Sequence, residues 1–299
     1  MTSRRQFLQM FTGLTGALAA PQILAQAHTP APWFKISLAQ WSLNRAFFSG
    51  EADPFDFAVI AKRDYGLSAI EYVNQFYQDR LNADTIAELK RRADGEGVQS
   101  LLIMCDREGN LGDPDDAARA RAVENHLKWL DAARALGCHS IRVNAASAGS
   151  YDEQQRLAAD GLRALSEHGE QRGLNVIVEN HGGLSSSGAW LAGVMRRVDH
   201  PRCGTLPDFG NFRISPTEEY DRYRGTAELM PWAKGVSAKT LAFDEEGLES
   251  TIDYPRMMGI VRNAGYTGHV GIEFEGPTAE PPGIRATKTL LERLGGVAG

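Results

Sequence analysis

The sequence predicts an α/β fold, a single (β/α)8 TIM barrel over residues 28–299. Eight short apolar runs alternate with amphipathic helical stretches, and eight strand-helix units are the number that closes a parallel barrel. The runs are apolar at nearly every position, as expected of strands that are covered on both faces. No low-complexity linker divides the chain, which favours one domain.

The eight predicted strands are separated by stretches long enough for a helix. They span residues 34–40, 69–73, 100–104, 140–144, 175–179, 204–208, 235–239 and 270–274. An open doubly wound sheet is the alternative fold, and it needs a glycine-rich phosphate-binding turn after its first strand. The chain there reads Gln40-Trp41-Ser42-Leu43-Asn44, without glycine, so the barrel is favoured over a nucleotide-binding sheet.

Helix boundaries are marked by capping residues. Asp53-Pro54 predicts the start of a helix that Gly66 ends, and Asp113-Pro114 predicts the start of a longer helix that ends at Gly137. Ser215-Pro216-Thr217-Glu218 has the pattern of a capping box, which predicts a further helix start at that point.

The first 27 residues have the layout of an export signal. Arg4 and Arg5 precede an apolar stretch over residues 10–20, and Ala25-Gln26-Ala27 supplies a cleavage site. The paired arginines resemble a twin-arginine signal, which implies export by the twin-arginine translocase and a periplasmic protein cleaved near Ala27. An ordinary secretory signal or an uncleaved anchor is the alternative. No later apolar run is long enough to span a bilayer.

The composition is mildly acidic. Lys and Arg number 32 and Asp and Glu 38, and the net charge of −6 becomes −8 once Arg4 and Arg5 leave with the signal. This balance argues against nucleic acid as a partner, since phosphate binding needs a basic surface. The three cysteines, Cys105, Cys138 and Cys203, lack metal-type spacing and are predicted to be small buried residues rather than a disulfide framework.

Polar side chains close nearly every predicted strand. Active sites of barrels lie at the carboxyl ends of the strands, which makes these residues the functional candidates. They are Gln40, Trp41, Glu71, Asn74, Cys105, Asp106, Asn144, Glu179, His181, Asp208, Asn211, Ser237, Lys239, Glu273 and Glu275. Acids brought together at a barrel mouth repel one another unless a cation lies between them. The pattern therefore predicts a metal site formed by Glu179, Asp208 and Glu273.

The predicted donor set is dominated by oxygen, with at most one imidazole. Side chains two residues apart in a strand share a face, so His181 points the same way as Glu179 if the strand extends that far. Oxygen donors suit Mn²⁺ or Mg²⁺ better than a thiolate-bound zinc. Mn²⁺ is the expected cofactor, and Mg²⁺, Co²⁺, Zn²⁺ and Fe²⁺ remain open.

With these residues in view, the chain resembles the xylose isomerase-like barrels, a family that includes sugar isomerases and ketose 3-epimerases. The resemblance rests on a glutamate after the fifth strand, an aspartate after the sixth and a glutamate after the eighth, and it covers essentially all of the chain after the signal. Family members hold a metal with Glu, Asp, His and Glu, and their two glutamates also move protons. The resemblance implies that Glu179, Asp208 and Glu273 are ligands and that Glu179 and Glu273 are the acid and base.

The chain departs from the family pattern at the fourth ligand. Ser237, in Val236-Ser237-Ala238-Lys239, stands where the family has a seventh-strand histidine. Asn211 stands where a sixth-strand Asp-x-x-His motif has its histidine. His181 or a water molecule is expected to complete the coordination, and an orienting or substrate-binding role is the alternative for His181.

The expected activity is metal-assisted isomerisation or epimerisation of a sugar. Negative charge that develops on the substrate oxygen in the enediolate falls on the metal, which acidifies the neighbouring carbon-bound proton. One glutamate removes that proton and the other returns it. Lys239 is a further catalytic candidate, the alternative being a lysine in solvent. The expected substrate-binding residues are Trp41, Glu71, Asn144, His181, Asn211, Ser237 and Glu275, and Phe209 and Phe212 are candidates for stacking on the sugar.

Export and the lack of a glycine-rich phosphate cradle favour a free sugar or glycoside over a sugar phosphate. Two alternatives remain open. One is a lyase that eliminates the aglycone of a 3-keto-glycoside, and the other is a non-catalytic periplasmic sugar-binding barrel. A DNA phosphodiesterase is disfavoured, because its multi-metal cluster needs several more histidines. A homo-oligomer is compatible with the sequence.

Overall fold

The computed structural model describes residues 31–298, so the predicted export signal lies outside the described part of the chain. The strands within that part are β1 Phe34–Ala39, β2 Ala69–Val73, β3 Gln99–Met104, β4 Ser140–Val143, β5 Asn175–Glu179, β6 Cys203–Leu206, β7 Arg213–Ser215, β8 Glu218–Glu219, β9 Val236–Thr240, β10 His269–Phe274 and β11 Gly296–Ala298.

The helices cover the outside of these strands. Over residues 31–298 they are α1 Asn44–Ser49, α2 Phe57–Tyr65, α3 Ala83–Gly95, α4 Asp116–Leu136, α5 Tyr151–Gln171, α6 Gly188–Val198, α7 Arg222–Leu229, α8 Tyr254–Asn263 and α9 Glu280–Arg293. None of them is long and apolar enough to cross a bilayer.

Eight parallel strands form the barrel: β1 to β6, β9 and β10. They pair in the order β6-β5-β4-β3-β2-β1-β10-β9, with β11 added to β1. The remaining seam, between β6 and β9, is closed by fewer hydrogen bonds: Ser237 N–H donates to the Pro207 carbonyl at 2.9 Å, and Phe209 N–H donates to the Ser237 carbonyl at 3.2 Å. All eight carboxyl ends therefore open at one end of a closed barrel, as the sequence predicts.

The strand predictions agree with the structure to within two residues at every boundary. The first predicted helix start is also confirmed, since the Asp53 carboxylate accepts from the Phe55 N–H and Gly66 ends α2 in the left-handed conformation. The second lies two residues too early. Asp113 caps a turn by accepting from the Asp115 N–H at 2.9 Å, and Asp115 caps α4.

The capping box predicted at residues 215–218 is wrong. Ser215 ends β7 and Glu218 begins β8, so this segment turns a short antiparallel hairpin. The Ser215 hydroxyl accepts from the Thr217 N–H, a local bond that serves a turn as well as a helix start. The helix begins later, where Asp221 caps α7 by accepting from the Arg224 N–H at 2.8 Å.

The interior is continuous and apolar. Trp129 of α4 and Trp190 of α6 are its largest fully buried side chains. Cys105, Cys138 and Cys203 are all buried and unpaired, as predicted. Each of the two long helices α4 and α5 starts with a side-chain cap, so packing and capping both fix their positions against the barrel.

One helix approaches a loop too closely for any side chain. A Cβ atom at Gly161, in the middle of α5, would lie 1.9 Å from the carbonyl oxygen of Leu111 in the loop before α4. A Cβ atom at Gly259 in α8 would have no heavy atom within 4 Å. An added methyl group would therefore overlap the backbone at Gly161 and meet open space at Gly259.

Gly161→Ala should lower the free energy of unfolding by about 2–3 kcal/mol, because the methyl group overlaps a backbone oxygen that has no flexible end to move. The matched change Gly259→Ala should raise it, by up to about 1 kcal/mol, since alanine loses less backbone entropy in a helix. Urea unfolding followed by circular dichroism measures both. Equal effects of the two substitutions would contradict the close approach.

Candidate metal centre and active-site pocket

Three buried carboxylates converge at the carboxyl ends of the strands. Glu179 ends β5, Asp208 follows β6 by two residues, and Glu273 lies near the end of β10. Each offers an oxygen within 4.8 Å of those of the other two, and none of the three residues is more than 2% exposed. The structure thus brings together the three acids that the sequence places at strand ends.

Asp208 is fixed by the loop that carries it. Its Oδ1 accepts from the N–H groups of Gly210 and Asn211, both at 2.8 Å. Asn180 joins this loop to the end of β5: its amide donates to the Asp208 carbonyl at 3.0 Å and its Oδ1 accepts from the Asp208 N–H at 2.8 Å. Asn211 also donates through Nδ2 to Glu179 Oε1 at 2.7 Å. Two carboxylates are therefore held in one hydrogen-bonded unit.

Ser237 joins the other pair of acids. Its Oγ lies 2.6 Å from Asp208 Oδ2 and 2.6 Å from Glu273 Oε2. A hydroxyl has one proton, so it can donate to only one of the two carboxylates. The second contact needs either a proton on the other acid or a cation beside it. Ser237, at the position where the sequence resemblance predicts a histidine, thus contacts two of the candidate ligands.

Two buried cations offset part of the negative charge. Lys239 Nζ donates to Glu273 Oε1 at 2.9 Å and to Glu275 Oε2 at 2.7 Å, and it lies 3.8 Å from Asp208 Oδ2. Arg142 forms an ion pair with Glu179, and its Nη1 donates to Asp106 Oδ1 at 2.8 Å. Lys239 is only 3% exposed, which rules out a lysine in solvent.

The pKa values of the acids follow from burial and these neighbours. Burial raises the pKa of Asp208 above its ordinary value; Lys239 opposes this shift, and Glu273 and Glu179 add to it. Burial also acts to raise the pKa of Glu273, but the Lys239 charge and the Ser237 hydrogen bond outweigh it, so this pKa is lowered. The arrangement keeps Glu273 ionised and makes a second negative charge on Asp208 costly unless a cation is close.

The three carboxylates fit an oxygen-preferring dication. Ligand distances of about 2.0–2.6 Å place oxygens on opposite sides of such an ion about 4–5 Å apart, and the three oxygens here span no more than 4.8 Å. Among residues 31–298, this is the group of His, Cys, Asp and Glu side chains with that geometry. Its donors are carboxylates only, because His181 is exposed and not part of the group.

The pocket above the carboxylates has a volume of about 350 Å³. We refer to it as the active-site pocket, and its lining includes Trp41, Gln75, Asp106, Arg107, Arg142, His181, Lys239, Glu273 and Glu275. Trp41 is held by Glu275, whose Oε1 accepts from the indole Nε1 at 2.6 Å. Asn144 lies beside the pocket and donates to Asp106 Oδ1 at 2.8 Å. Trp41, His181 and Glu275 can therefore face a ligand.

Three residues that the sequence predicts to contact the sugar, Phe209, Phe212 and Ser237, do not line the active-site pocket. Phe209 and Phe212 are fully buried, and Phe209 packs edge-on against Tyr254, so neither ring reaches a sugar. Both are packing residues, Phe209 against Tyr254 of α8 and Phe212 against Gly225 of α7. Ser237 is 1% exposed behind the ligand candidates, which leaves it a positioning contact.

Arg142 and Asn180 belong to the site but are not among the site residues predicted from the sequence. The signal for Arg142 is a charged residue inside the apolar run Ile141-Arg142-Val143, a placement that requires a buried partner. Asn180 has no comparable signal, since asparagine after a strand is common in turns. Only the hydrogen bonds across β5 and β6 identify it.

Glu71 is a fourth buried acid, on β2 inside the barrel. Ser37 donates to its Oε1 at 2.6 Å, and its Oε2 is buried without a hydrogen-bond partner within residues 31–298. Gly271 is required beside it, because a Cβ atom there would lie 2.5 Å from Oε1. Burial raises the pKa of Glu71 to about 7, and the charges of Glu273 and Glu179 add to the shift. Glu71 does not line the active-site pocket.

The fold and the site define the class of protein: a parallel barrel with a candidate metal centre at its mouth. Comparison with known proteins then identifies the family. Residues 59–294 match the family described as xylose isomerase-like TIM barrel, and the chain belongs to that family.

The individual relatives share little sequence identity with this chain. The chain is 24% identical over 208 residues to L-ribulose-5-phosphate 3-epimerase UlaE of Escherichia coli K12, covering 65% of this chain and 70% of that one. Its fold is similar to that of apo 3-keto-D-glucoside 4-epimerase YcjR from E. coli, with a TM-score of 0.67, 17% identity and coverage of 87% and 99%. It is also similar to that of an IOLI protein with a bound zinc atom, with a TM-score of 0.69, 12% identity and coverage of 88% and 98%.

Glu71 should make stability depend on pH. A carboxyl whose pKa is higher in the folded than in the unfolded protein stabilises fully at low pH, and this contribution is lost as the pH rises from about 4.5 through about 7. In chelator-treated protein, Glu71→Gln should therefore gain stability over the wild type across that range, by up to about 3 kcal/mol. Urea unfolding as a function of pH measures the difference.

Glu124→Gln, which changes an exposed glutamate of α4, is the control and should show no such pH-dependent gain. A Glu71→Gln curve parallel to that of the wild type would contradict the raised pKa.

Proposed function

We propose that this protein is a divalent-metal-dependent sugar isomerase or epimerase that moves a proton beside a sugar carbonyl. Membership of the xylose isomerase-like family supports this proposal, and so does the relative named as a sugar-phosphate 3-epimerase. The single observation that carries it is the pair of buried glutamates, Glu179 and Glu273, whose oxygens lie within 4.8 Å of each other and of Asp208.

Glu179, Asp208 and Glu273 would hold the metal. Oxygen donors favour Mn²⁺ or Mg²⁺, and Mn²⁺ is the ion we propose, with Co²⁺, Zn²⁺ and Fe²⁺ as alternatives to be compared. When bound, the ion supplies positive charge next to the substrate oxygen on which negative charge develops. Ser237 stands where the resemblance predicts the fourth ligand, and its hydroxyl would position Asp208 and Glu273, so a water molecule or His181 would complete the coordination.

The two glutamates would exchange the proton. Glu273 is kept ionised by Lys239, so it can accept the proton from the carbon next to the carbonyl. Glu179 belongs to the opposite side of the carboxylate cluster, where Arg142 and Asn211 orient it. Starting the turnover protonated, it would donate its own proton on the other face or to the next carbon, and proton exchange with solvent would then restore both acids. Lys239 and Arg142 are positioning residues in this scheme, and both remain charged.

The substrate we propose is a free sugar or glycoside rather than a sugar phosphate. Export to the periplasm, predicted from residues 1–27, and the lack of a glycine-rich phosphate cradle in the sequence support this choice. Trp41, His181 and Glu275 line the pocket and would contact the sugar. Asn144 and Asn211 would act through Asp106 and Glu179, to which they donate.

Elimination from a 3-keto-glycoside is the second candidate. The same base would take the proton from C2, the electron pair would form a C1–C2 double bond, and the C1–O bond would break so that the aglycone leaves and takes up a proton. The observation that favours this candidate is a second cavity that adjoins the active-site pocket. Product analysis separates the two reactions, because only elimination releases an aglycone.

Glu179→Gln and Glu273→Gln should each lower kcat by about 10²–10⁴-fold on a converted keto-sugar, the range that proton transfer contributes. Glu124→Gln, on the exposed face of α4, should keep full activity. Steady-state kinetics on a panel of free ketoses measures the loss, with circular dichroism to show that the variants fold. Full activity in both site variants would remove them from the mechanism.

Asp208→Asn should weaken Mn²⁺ binding at least tenfold, because one of three anionic donors is lost. Isothermal titration of the chelator-treated protein measures the affinity. Asp64→Asn, an exposed aspartate of α2, is the matched control and should bind Mn²⁺ like the wild type. Equal affinity in both variants, or no stoichiometric ion in the wild type, would favour a sugar-binding barrel without catalysis.

A further inference from the structure

A second cavity of about 560 Å³ adjoins the active-site pocket. We refer to it as the outer cavity. It lies between residues 47–54, which follow β1, and residues 75–80, which follow β2. Gln75 and Arg107 line both spaces, so the two cavities adjoin at those side chains.

One wall of the outer cavity is aromatic. The ring of Phe48 is 58% exposed, the largest exposed fraction among the large apolar side chains of residues 31–298. It packs against Phe76, with ring centroids 4.9 Å apart, and edge-on against Trp41 at 6.1 Å. Trp41 also lines the active-site pocket and is held there by Glu275. The aromatic wall therefore runs from one cavity into the other.

Other residues of the lining form a polar rim. Gln78, Asp79, Arg80 and Arg107 line the outer cavity, and none of their side chains forms a hydrogen bond or salt bridge with another residue of the described range 31–298. Their donors and acceptors are available to a ligand. Exposed aromatic side chains together with unpaired polar groups suit a ring with hydroxyl groups on its edge and carbon-bound hydrogens on its face.

Arg107 is strained where the cavities meet. Its φ of 64° lies in the left-handed region, which non-glycine residues rarely adopt. Because Arg107 lines both cavities, this backbone conformation occurs where the two cavities adjoin. Backbone strain of this kind persists at ligand-binding positions when the surroundings impose it.

We propose that the outer cavity is a second sugar subsite, and that the substrate is a disaccharide or sugar glycoside with its keto-sugar ring in the active-site pocket. The second ring stacks on Phe48 and hydrogen-bonds to the polar rim. At about 350 Å³ the active-site pocket is near the lower end of the size range of ligand sites, and the outer cavity extends it along one side. The reaction at the keto-sugar ring rests on the function proposed above. The second subsite concerns binding alone, so it can be tested without turnover.

The test compares D-fructose with isomaltulose, a disaccharide that carries glucose on the same ketose. The wild type should show a lower KM for isomaltulose than for D-fructose. Phe48→Ala should raise the isomaltulose KM by roughly three- to tenfold, the value of one lost stacking contact, and leave the D-fructose KM unchanged. Val297→Ala, which shortens an exposed apolar side chain in β11, should change neither.

A direct binding measurement separates this proposal from the proposed reaction. Isothermal titration of isomaltulose into wild type and Phe48→Ala should show weaker binding to the variant whether or not the sugar is turned over. If neither sugar is converted but isomaltulose binds in a Phe48-dependent way, the proposed reaction fails and the second subsite stands. Equal KM values for the two sugars, no conversion or binding of isomaltulose, or an equal effect of Phe48→Ala on both sugars would overturn the subsite.

Discussion

Mutual repulsion among buried carboxylates is the constraint on which this barrel mouth depends. Two like charges about 4 Å apart repel by roughly 4 kcal/mol even at an effective dielectric constant of about 20. Glu179, Asp208 and Glu273 come within 4.8 Å of one another without access to solvent. The fold tolerates them because Lys239 and Arg142 lie on either side. The second oxygens of the two glutamates contact neutral groups, Asn211 at Glu179 and Ser237 at Glu273.

Ser237 stands where the resemblance to the family predicts a histidine ligand, and this residue bears on the character of the site. An imidazole would add a neutral donor to the metal, whereas the hydroxyl contacts Asp208 and Glu273 from behind. The remaining donors are all anionic, which favours hard cations over softer ones. Ser237 and Lys239 are two residues apart on β9, opposite Gly271 and Glu273 of β10, so both side chains reach the acids from the same strand.

The rest of the mouth follows from where the loops leave the barrel. The loops after β1 and β2 are long enough to build an aromatic wall outside the ring of strands, and Trp41 connects that wall to the carboxylates through Glu275. The loop after β6 instead buries Phe209 against Tyr254 of α8. The aromatic wall therefore lies on loops, whereas Glu179 and Glu273 lie in the strands themselves, at the end of the barrel where active sites of this fold are found.

The sequence by itself determined the barrel, its strands to within two residues, and the three strand-end acids, because apolar runs, capping residues and the position of a carboxylate after a run are local properties. Only the tertiary structure decided what those acids touch. Arg142, Asn180 and the bridging of two acids by Ser237 depend on which strands are neighbours and on register, and neither is written in a local pattern. For the same reason the hairpin at residues 213–219 replaced a helix start: a capping pattern fits a turn equally well, and pairing across the turn selected the hairpin.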